Sequence, residues 1–381
     1  MHSPLALIIG SALHITVASL PHHPYVERRD SQQMLNFDIV LHNDGDTAAT
    51  LASIREQVFD KTGGLEIERE LNANGKPSAL ISLGNTTLQA NSGNVIFQPF
   101  DHYDAAVDIG RIRLTLSFLA AGKPLPPVAR NADFIATLEL TPTHFTAVDA
   151  YCLPLSGTLL VHDGHDLSSH HRRQNLWERY RKDPERAVNP NLYAYDLVRI
   201  DSTGALYKDN PDRKENWYTF NAPVHAPVTG IVVEAVDDIP DNFFVHGEAV
   251  VPESAQHLDP DGMGNHVAIR APDGRVSWLL HLETEGLMVK QGQHVKAGDP
   301  VGRIGFSGDA LFPHEHFTVT NAPGYPAQGV PSYFRHFTRR PSSEVIGFGQ
   351  IDSGDIVKDD GKCGPEEQRS SRSNAATSSS N

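Results

Sequence analysis

Short runs of alternating hydrophobic and polar residues fill the first part of the chain. Clear examples are residues 37–43, 65–71, 80–83 and 112–118. Alternation with a period of two indicates half-buried strands, and evenly spaced strands separated by turn residues are typical of an immunoglobulin-like β-sandwich. The charged run at 65–71 also has a composition that suits a helix. We predict a β-sandwich accessory domain over residues 30–148, in which no residue pattern carries a chemical signature.

A different pattern, punctuated by glycines, follows farther along the chain. Two alternating runs at 264–269 and 277–282 flank an Asp273-Gly274 turn and predict a β-hairpin. Around this hairpin, residues 226–235 and 289–305 alternate apolar pairs with glycines, as tight turns between short strands require. The whole chain is therefore predicted to be mainly β, with the sandwich followed by an antiparallel-sheet domain.

Candidate chemistry is concentrated in the run Pro313-His314-Glu315-His316-Phe317. In a strand, residues two apart point to the same face, so His314 and His316 share one side and Glu315 lies on the other. Two converging imidazoles can bind a metal, or one can bind it while the other transfers protons. Because the chain has 20 histidines, this motif alone is a weak indication of a metal site.

This run is the last of five motifs that follow one another along the chain. They read Ala-Pro-Val-x-Gly-x-Val-Val from Ala226, Gly-Asn-x-Val-x-Ile from Gly264, His-Leu at His281, Val-Lys-x-Gly-Gln-x-Val-x-x-Gly from Val289 and Pro-His-x-His-Phe from Pro313. Over residues 160–322 the set resembles the lysostaphin-type, or LytM-like, zinc endopeptidases. Many of these enzymes cut peptide bonds in bacterial cell walls. The resemblance implies a zinc-dependent metalloendopeptidase acting on peptides of peptidoglycan type.

The same resemblance implies one zinc ion per chain, held by a histidine, an aspartate and the second histidine of the His-x-His motif. His316 is then a metal ligand, and His281 and His314 are the two catalytic histidines. Zinc with three protein ligands keeps a position open for water, whose pKa it lowers from about 15.7 towards 7. We assign His314 the role of proton acceptor and His281 that of stabilising the oxyanion, and these two roles can be exchanged.

The aspartate ligand and the first histidine ligand that the resemblance implies have less direct matches in this sequence. Asp196 lies in an apolar, strand-like run and fits the aspartate, whereas Asp201 sits beside Ser-Thr-Gly and fits a turn. The first histidine falls on His171, with His170 as the alternative. His171 and Asp196 are 25 positions apart, whereas many relatives keep these ligands within a few residues. We predict that the intervening residues 177–186 form a charged surface helix or loop.

Other classes of protein fit the sequence less well. The chain has no His-Glu-x-x-His, Gly-x-Ser-x-Gly or Walker-type motif. Its glycine-rich part also resembles biotinyl or lipoyl carrier domains, but Met263 has no lysine beside it for attachment. The main alternative is a degenerate, zinc-free LytM-like module that binds or activates other proteins. Glu315, where relatives commonly have leucine, is a further departure from the family pattern.

Composition and the two termini bear on the location of the protein. A net charge of −15 disfavours nucleic acid and anionic membranes as partners. Residues 1–20 hold an apolar stretch that is too short for a membrane span, and we predict a signal peptide cleaved between Ala18 and Leu20. The protein is thus expected to be extracytoplasmic, where Cys152 and Cys363 can pair. We place the peptidase domain at 152–345 and a flexible polar tail at 346–381.

Overall fold

The computed structural model describes residues 14–29, 31–123, 132–147, 150–167 and 169–362. The chain is mainly β, as the alternating pattern predicts. It divides into two compact units, Met1–Phe145 with Gln174–Val188, and Thr146–Arg173 with Asn189–Asn381.

Among its described residues, the first unit contains three sheets. Its strands are β1 (Ile15–Leu20), β2 (Tyr25–Arg29), β3 (Gln32–Leu35), β4 (Asp38–Asn43), β5 (Ala49–Phe59), β6 (Leu65–Asn72), β7 (Thr87–Leu88), β8 (Ser92–Phe97), β9 (His102–Asp104), β10 (Arg111–Ala120), β11 (Phe134–Leu140) and β12 (Thr143–His144). The sheet orders are β1-β4-β8, β11-β10-β5-β6 with β7 beside β5, and β12-β2-β3-β9. Ile39 of the first sheet and Ile54 and Leu116 of the second are fully buried in one shared hydrophobic core.

Local capping overrides one strand prediction in this unit. Residues 80–83, predicted as a strand, belong to the 3-10 helix Ala79–Leu83. The Ser78 hydroxyl accepts the backbone N–H of Leu80 at 3.0 Å and caps this helix. An apolar run of four residues is too short for its period to distinguish a strand from a helical turn. The strand prediction was therefore wrong, whereas the ambiguous run at 65–71 is strand β6.

Strand β1 coincides with the end of the predicted signal peptide. Residues 1–13 of that segment lie outside the described residues. Ile15–Leu20 pairs along its whole length with Asp38–Asn43 in antiparallel register, and Leu20 is fully buried. Cleavage between Ala18 and Leu20 would remove residues of this strand from its sheet. Among the helices that the structure describes, none is long and apolar enough to cross a membrane.

The segment between the two candidate ligands His171 and Asp196 belongs largely to the first unit. It contains helix α1 (Trp177–Lys182) and the 3-10 helix Pro184–Arg186, so the predicted charged helix is present. Leu176 and Ala187, which flank these helices, are buried in a cluster with Leu20, Val40 and Val95. An excursion of the chain into another unit therefore accounts for the long spacing between the two candidates.

The second unit is built on a ten-stranded sheet. Its strands are β13 (Thr158–Asp163), β14 (Tyr195–Arg199), β15 (Pro223–His225), β16 (Gly230–Val236), β17 (Phe243–Val245), β18 (Glu248–Val250), β19 (Asn265–Arg270), β20 (Val276–Leu282), β21 (His294–Val295), β22 (Pro300–Arg303), β23 (Glu315–Thr320), β24 (Phe337–Arg339), β25 (Val345–Ile346) and β26 (Ile356–Asp359). Two short helices, α2 (Glu253–Gln256) and the 3-10 helix Lys214–Asn216, lie between strands. The sheet order is β21-β16-β19-β20-β23-β14-β13-β26-β24-β25, and β19 and β20 form the predicted hairpin.

Cys152 of the second unit is buried and disulfide-bonded. Its predicted partner Cys363 lies outside the described residues. A disulfide suits an oxidising compartment.

Candidate metal centre

Neighbouring strands at the middle of the large sheet bring the candidate residues together. Strands β20, β23, β14 and β13 are consecutive in the sheet. The antiparallel register sets Asp196 opposite His316 on one side and opposite Asp163 on the other. Because residues opposite each other share a face of the sheet, these three side chains are directed to the same side.

The Asp196 carboxylate is the meeting point of the site. Its Oδ1 atom lies 3.3 Å from His171 Nε2, 3.3 Å from His314 Nε2 and 3.1 Å from His316 Nδ1. Zinc bound tetrahedrally at about 2.0–2.1 Å holds its ligand atoms about 3.3 Å apart. His171 Nε2 is buried without a hydrogen-bond partner among the described residues. The separations of Asp196 Oδ1 from His171 and from His316 therefore suit the ligands of one zinc ion.

The two neighbouring histidines His170 and His171 approach different oxygens of Asp196. His171 is buried, and its Nδ1 lies 3.2 Å from the Gly164 carbonyl oxygen. A hydrogen bond from Nδ1 to that carbonyl leaves Nε2 free to bind a metal. His170 is 63% exposed and directs Nε2 to the other oxygen, Oδ2, at 3.9 Å. His171 is thus the better placed of the two to share a metal with Oδ1.

The two predicted catalytic histidines face each other beside this donor set. The ring centroids of His281 and His314 are 4.9 Å apart. Their Nδ1 atoms lie 2.9 Å and 2.8 Å from the carbonyl oxygens of Ser307 and Phe312. A carbonyl only accepts a hydrogen bond, so each Nδ1 carries the hydrogen and each neutral ring has an unprotonated Nε2. His314 directs this Nε2 towards the centre, and both rings are therefore able to accept or return a proton.

His281 has a strained backbone conformation. Its φ of 62° lies in the left-handed region, which is costly for a residue other than glycine. The pairing of β19 with β20 shifts register next to this residue, as a β-bulge does when it redirects a side chain. Gly264, with φ +65°, lies against Ser307 so closely that an added Cβ would be 2.5 Å from its hydroxyl oxygen. This close approach belongs to the loop whose Ser307 carbonyl orients His281.

Grouped by distance alone, the donor atoms form two adjacent sets that divide His171 and Asp196 from His316. One nitrogen from each of His281, His314 and His316 lies within 4.8 Å of the others, and the same holds for donor atoms of Asp163, His170, His171 and Asp196. An all-histidine set is thus a geometrical alternative to the set that includes Asp196. Asp163 and His170 extend the donors on the outer side of Asp196.

Burial and mutual charge displace the pKa values at this centre. Burial raises the pKa of Asp196, but the imidazoles of His171 and His314 outweigh it and hold this pKa well below its usual value. Burial lowers the pKa of His316 to about 4, and burial with the charge of His314 lowers that of His281 well below its usual value. His281 and His316 are therefore neutral at pH 7, as metal binding or proton acceptance requires.

The charge of Asp196 raises the pKa values of two neighbouring histidines, His171 and His314. Burial acts to lower the pKa of His171 and of His314, but the carboxylate of Asp196 outweighs burial and raises both. A proton on the predicted ligand His171 therefore competes with a metal ion for its Nε2 atom.

Several neighbours of the site carry no sequence signature. Asp163 directly faces Asp196, and only the strand register reveals this pairing. Asp309 has Oδ1 3.8 Å from His281 Nε2 and lines a cavity of about 500 Å³ together with Val251 and Ala255. Val251 and Ala255 both belong to the segment between β16 and β19. Asp201, the rival candidate, accepts the backbone N–H groups of a turn.

Glu315 lies between the two motif histidines on the opposite, apolar face of β23. It is fully buried, and neither carboxyl oxygen has a hydrogen-bond partner among the described residues. Burial, with a smaller effect of Asp196, raises its pKa well above the ordinary 4.5. An orphaned polar group in a core costs about 1–3 kcal/mol.

We expect Glu315→Leu to raise the free energy of unfolding of the metal-free protein by about 1–3 kcal/mol. Between pH 4.5 and the raised pKa of the folded state, the folded chain keeps a proton that the unfolded chain releases. Wild-type stability therefore falls as pH rises through this window, and the advantage of Glu315→Leu grows. Thermal unfolding at pH 5 and pH 8 measures this difference.

Glu315→Gln is the matched control, because it removes the ionisation but keeps a buried polar group. An equal pH response in wild type and Glu315→Leu contradicts the prediction.

Comparison with known proteins agrees with the sequence motifs. Residues 218–328 match Peptidase family M23, so the chain carries a domain of that family. The predicted resemblance is thereby confirmed. Members of this family are zinc metallopeptidases that act on peptidoglycan. The matched segment contains His281, His314 and His316, whereas His171 and Asp196 precede it.

Solved structures similar to this chain include three peptidases. The catalytic domain of a mutant prophage-encoded M23 protein EnpA from Enterococcus faecalis is 22% identical over 35% of this chain and 92% of that chain, with a TM-score of 0.22. The catalytic domain of the antimicrobial peptidase lysostaphin from Staphylococcus simulans is 26% identical over 33% and 86%, also with a TM-score of 0.22. A putative glycyl-glycine endopeptidase lytM from Ruminococcus gnavus is 19% identical over 36% and 42%, with a TM-score of 0.22. Among curated proteins, no sequence matches this chain.

Proposed function

We propose that this protein is a zinc-dependent metalloendopeptidase that hydrolyses peptide bonds of cell-wall, or peptidoglycan, type. The observation that carries the proposal is the buried Asp196 Oδ1 atom with three imidazole nitrogens at 3.1–3.3 Å. Buried charges are costly unless they are paired or bind a metal. His171, Asp196 and His316 are the proposed ligands of one zinc ion per chain.

The chain's own residues divide the chemistry between ligands and proton carriers. Bound zinc supplies a Lewis acid and brings the pKa of a water molecule near 7. His314, with its Nδ1 fixed by the Phe312 carbonyl, accepts the proton of the attacking water at Nε2 and passes it to the leaving amine. His281, fixed by the Ser307 carbonyl, donates a hydrogen bond that stabilises the developing oxyanion when its Nε2 is protonated. The two roles can be exchanged, and the pKa directions favour the exchange: the lowered pKa of His281 keeps its Nε2 free to accept a proton, whereas the raised pKa of His314 favours the protonated, donating ring.

Two features support a location outside the cytoplasm. Cys152 is disulfide-bonded, and disulfides persist in oxidising compartments. Peptidoglycan, the substrate of the family, is also outside the cytoplasmic membrane. We therefore propose a secreted or periplasmic peptidase.

The test combines metal content with hydrolysis by the 381-residue chain. We expect one zinc per chain and cleavage of purified cell walls and short synthetic peptides, detected as new amino termini. A chelator should remove both the zinc and the activity, and added zinc should restore them. Chelator-resistant hydrolysis would contradict the metal mechanism. A chain that binds neither zinc nor any other divalent metal and cleaves nothing would instead be the degenerate binding or activator module.

A further inference from the structure

Two carboxylates face each other at the outer edge of the proposed metal centre. Asp163 of β13 and Asp196 of β14 are directly opposite in the antiparallel register. Their side chains are only 13% and 4% exposed. Like charges directly opposite each other destabilise a strand pair, more so where water is largely excluded. A group that interacts with both carboxylates would relieve this repulsion.

His170 lies between these two carboxylates. Its backbone N–H donates to Asp163 Oδ2 at 3.0 Å, and its ring Nδ1 contacts the same oxygen. The other ring nitrogen, Nε2, faces Asp196 Oδ2 at 3.9 Å, an ion-pair distance that is too long for a direct hydrogen bond. Two contacts to Asp163 thus fix the orientation in which His170 meets Asp196.

The two oxygens of Asp196 consequently have different surroundings. Oδ1 faces the nitrogens of His171, His314 and His316, whereas Oδ2 faces His170. A carboxylate that binds zinc through both oxygens would occupy the position that a catalytic site keeps open. An outer interaction with Oδ2 opposes this second mode of binding.

We propose that His170, oriented by Asp163, is a positioning residue that holds Asp196 Oδ2 away from the metal, so that Asp196 binds through Oδ1 alone. This inference rests on the proposed zinc peptidase function. It separates the roles of two adjacent histidines, with His171 as the ligand and His170 as the partner of a ligand. Partners of metal ligands affect metal affinity or activity by about 10–100-fold.

Zinc affinity of the 381-residue chain, measured by competition with a chromophoric chelator, tests the proposal without reference to activity. We expect His170→Ala to weaken zinc binding by about 10–100-fold and Asp163→Asn to weaken it in the same direction. The double variant should be no weaker than His170→Ala, because the two residues act as one unit. His294→Ala, a change at an exposed histidine of β21, is the matched control and should leave the affinity unchanged.

Cobalt substitution gives a readout that a merely structural role would not change. If Asp196 binds through both oxygens in His170→Ala, coordination rises from four to five, and the visible absorption of the cobalt protein weakens.

Zinc affinity of His170→Ala within about threefold of wild type, with an unchanged cobalt spectrum, would overturn the inference while leaving the proposed function intact. Retention of zinc by His171→Ala together with its loss in His170→Ala would also overturn it, because His170 would then be the ligand. A wild-type chain that binds no zinc would instead overturn the proposed function.

Discussion

An Asp196→Asn variant is expected to bind zinc more than about 100-fold more weakly than wild type and to lose detectable hydrolysis. Loss of an indirect partner already costs about 10–100-fold, and Asp196 is the group on which three imidazole nitrogens converge. An amide of the same size keeps the packing but removes the negative charge. Zinc content after gel filtration and competition with a chelator measure the first effect, and release of new amino termini from cell walls measures the second.

Asp201→Asn is the matched control for this experiment. It makes the same chemical change five positions away, at a residue that caps a turn, and an asparagine can still accept such hydrogen bonds. Zinc content and hydrolysis should therefore stay at the wild-type level. If Asp196→Asn also kept wild-type affinity, the ion would be held by the all-histidine set His281, His314 and His316, and the proposed ligand assignment would be wrong.

The strand period made much of the candidate site predictable. Two histidines separated by one residue must share a face if they lie on a strand, and both His314 and His316 approach Asp196 Oδ1. The hairpin that carries His281 was likewise predictable, because an Asp-Gly turn separates its two alternating runs. Fold class and the face of the His-x-His motif therefore follow from local patterns.

Other parts depend on contacts that no local pattern encodes. His171 and Asp196 are 25 positions apart. This spacing is explained only by the fold, in which most of the intervening segment belongs to the first unit. The left-handed backbone of His281 depends on a register shift between two strands, and strand register is set by long-range pairing.

The environment of Glu315 is a further feature that the local sequence pattern does not predict. The strand period correctly directs it away from His314 and His316, but it does not reveal that this other face is an apolar interior. The ten-stranded sheet supplies that information, because β23 lies between β20 and β14 and Glu315 is fully buried there. Burial by neighbouring strands is a property of the assembled sheet.

His281→Ala and His314→Ala are each expected to lower kcat by about 100-fold or more while the chain retains its zinc. Proton transfer by a positioned side chain contributes about 100- to 10,000-fold to a rate, and neither residue belongs to the proposed ligand set His171, Asp196 and His316. Zinc content distinguishes the two types of histidine, because His316→Ala should lose both metal and activity. Steady-state kinetics with one synthetic peptide, alongside zinc content of each variant, provides the measurement.

The exposed His294 serves again as the control, since His294→Ala removes an imidazole of the same unit without touching the site. Its kcat and zinc content should match those of wild type. Hydrolysis within about tenfold of wild type in either His281→Ala or His314→Ala would rule out an acid–base role for that residue. Loss of zinc from both variants would show that these rings are ligands. The 4.9 Å separation of the two rings also makes their effects interdependent, so the double variant should lose less activity than the product of the single losses predicts.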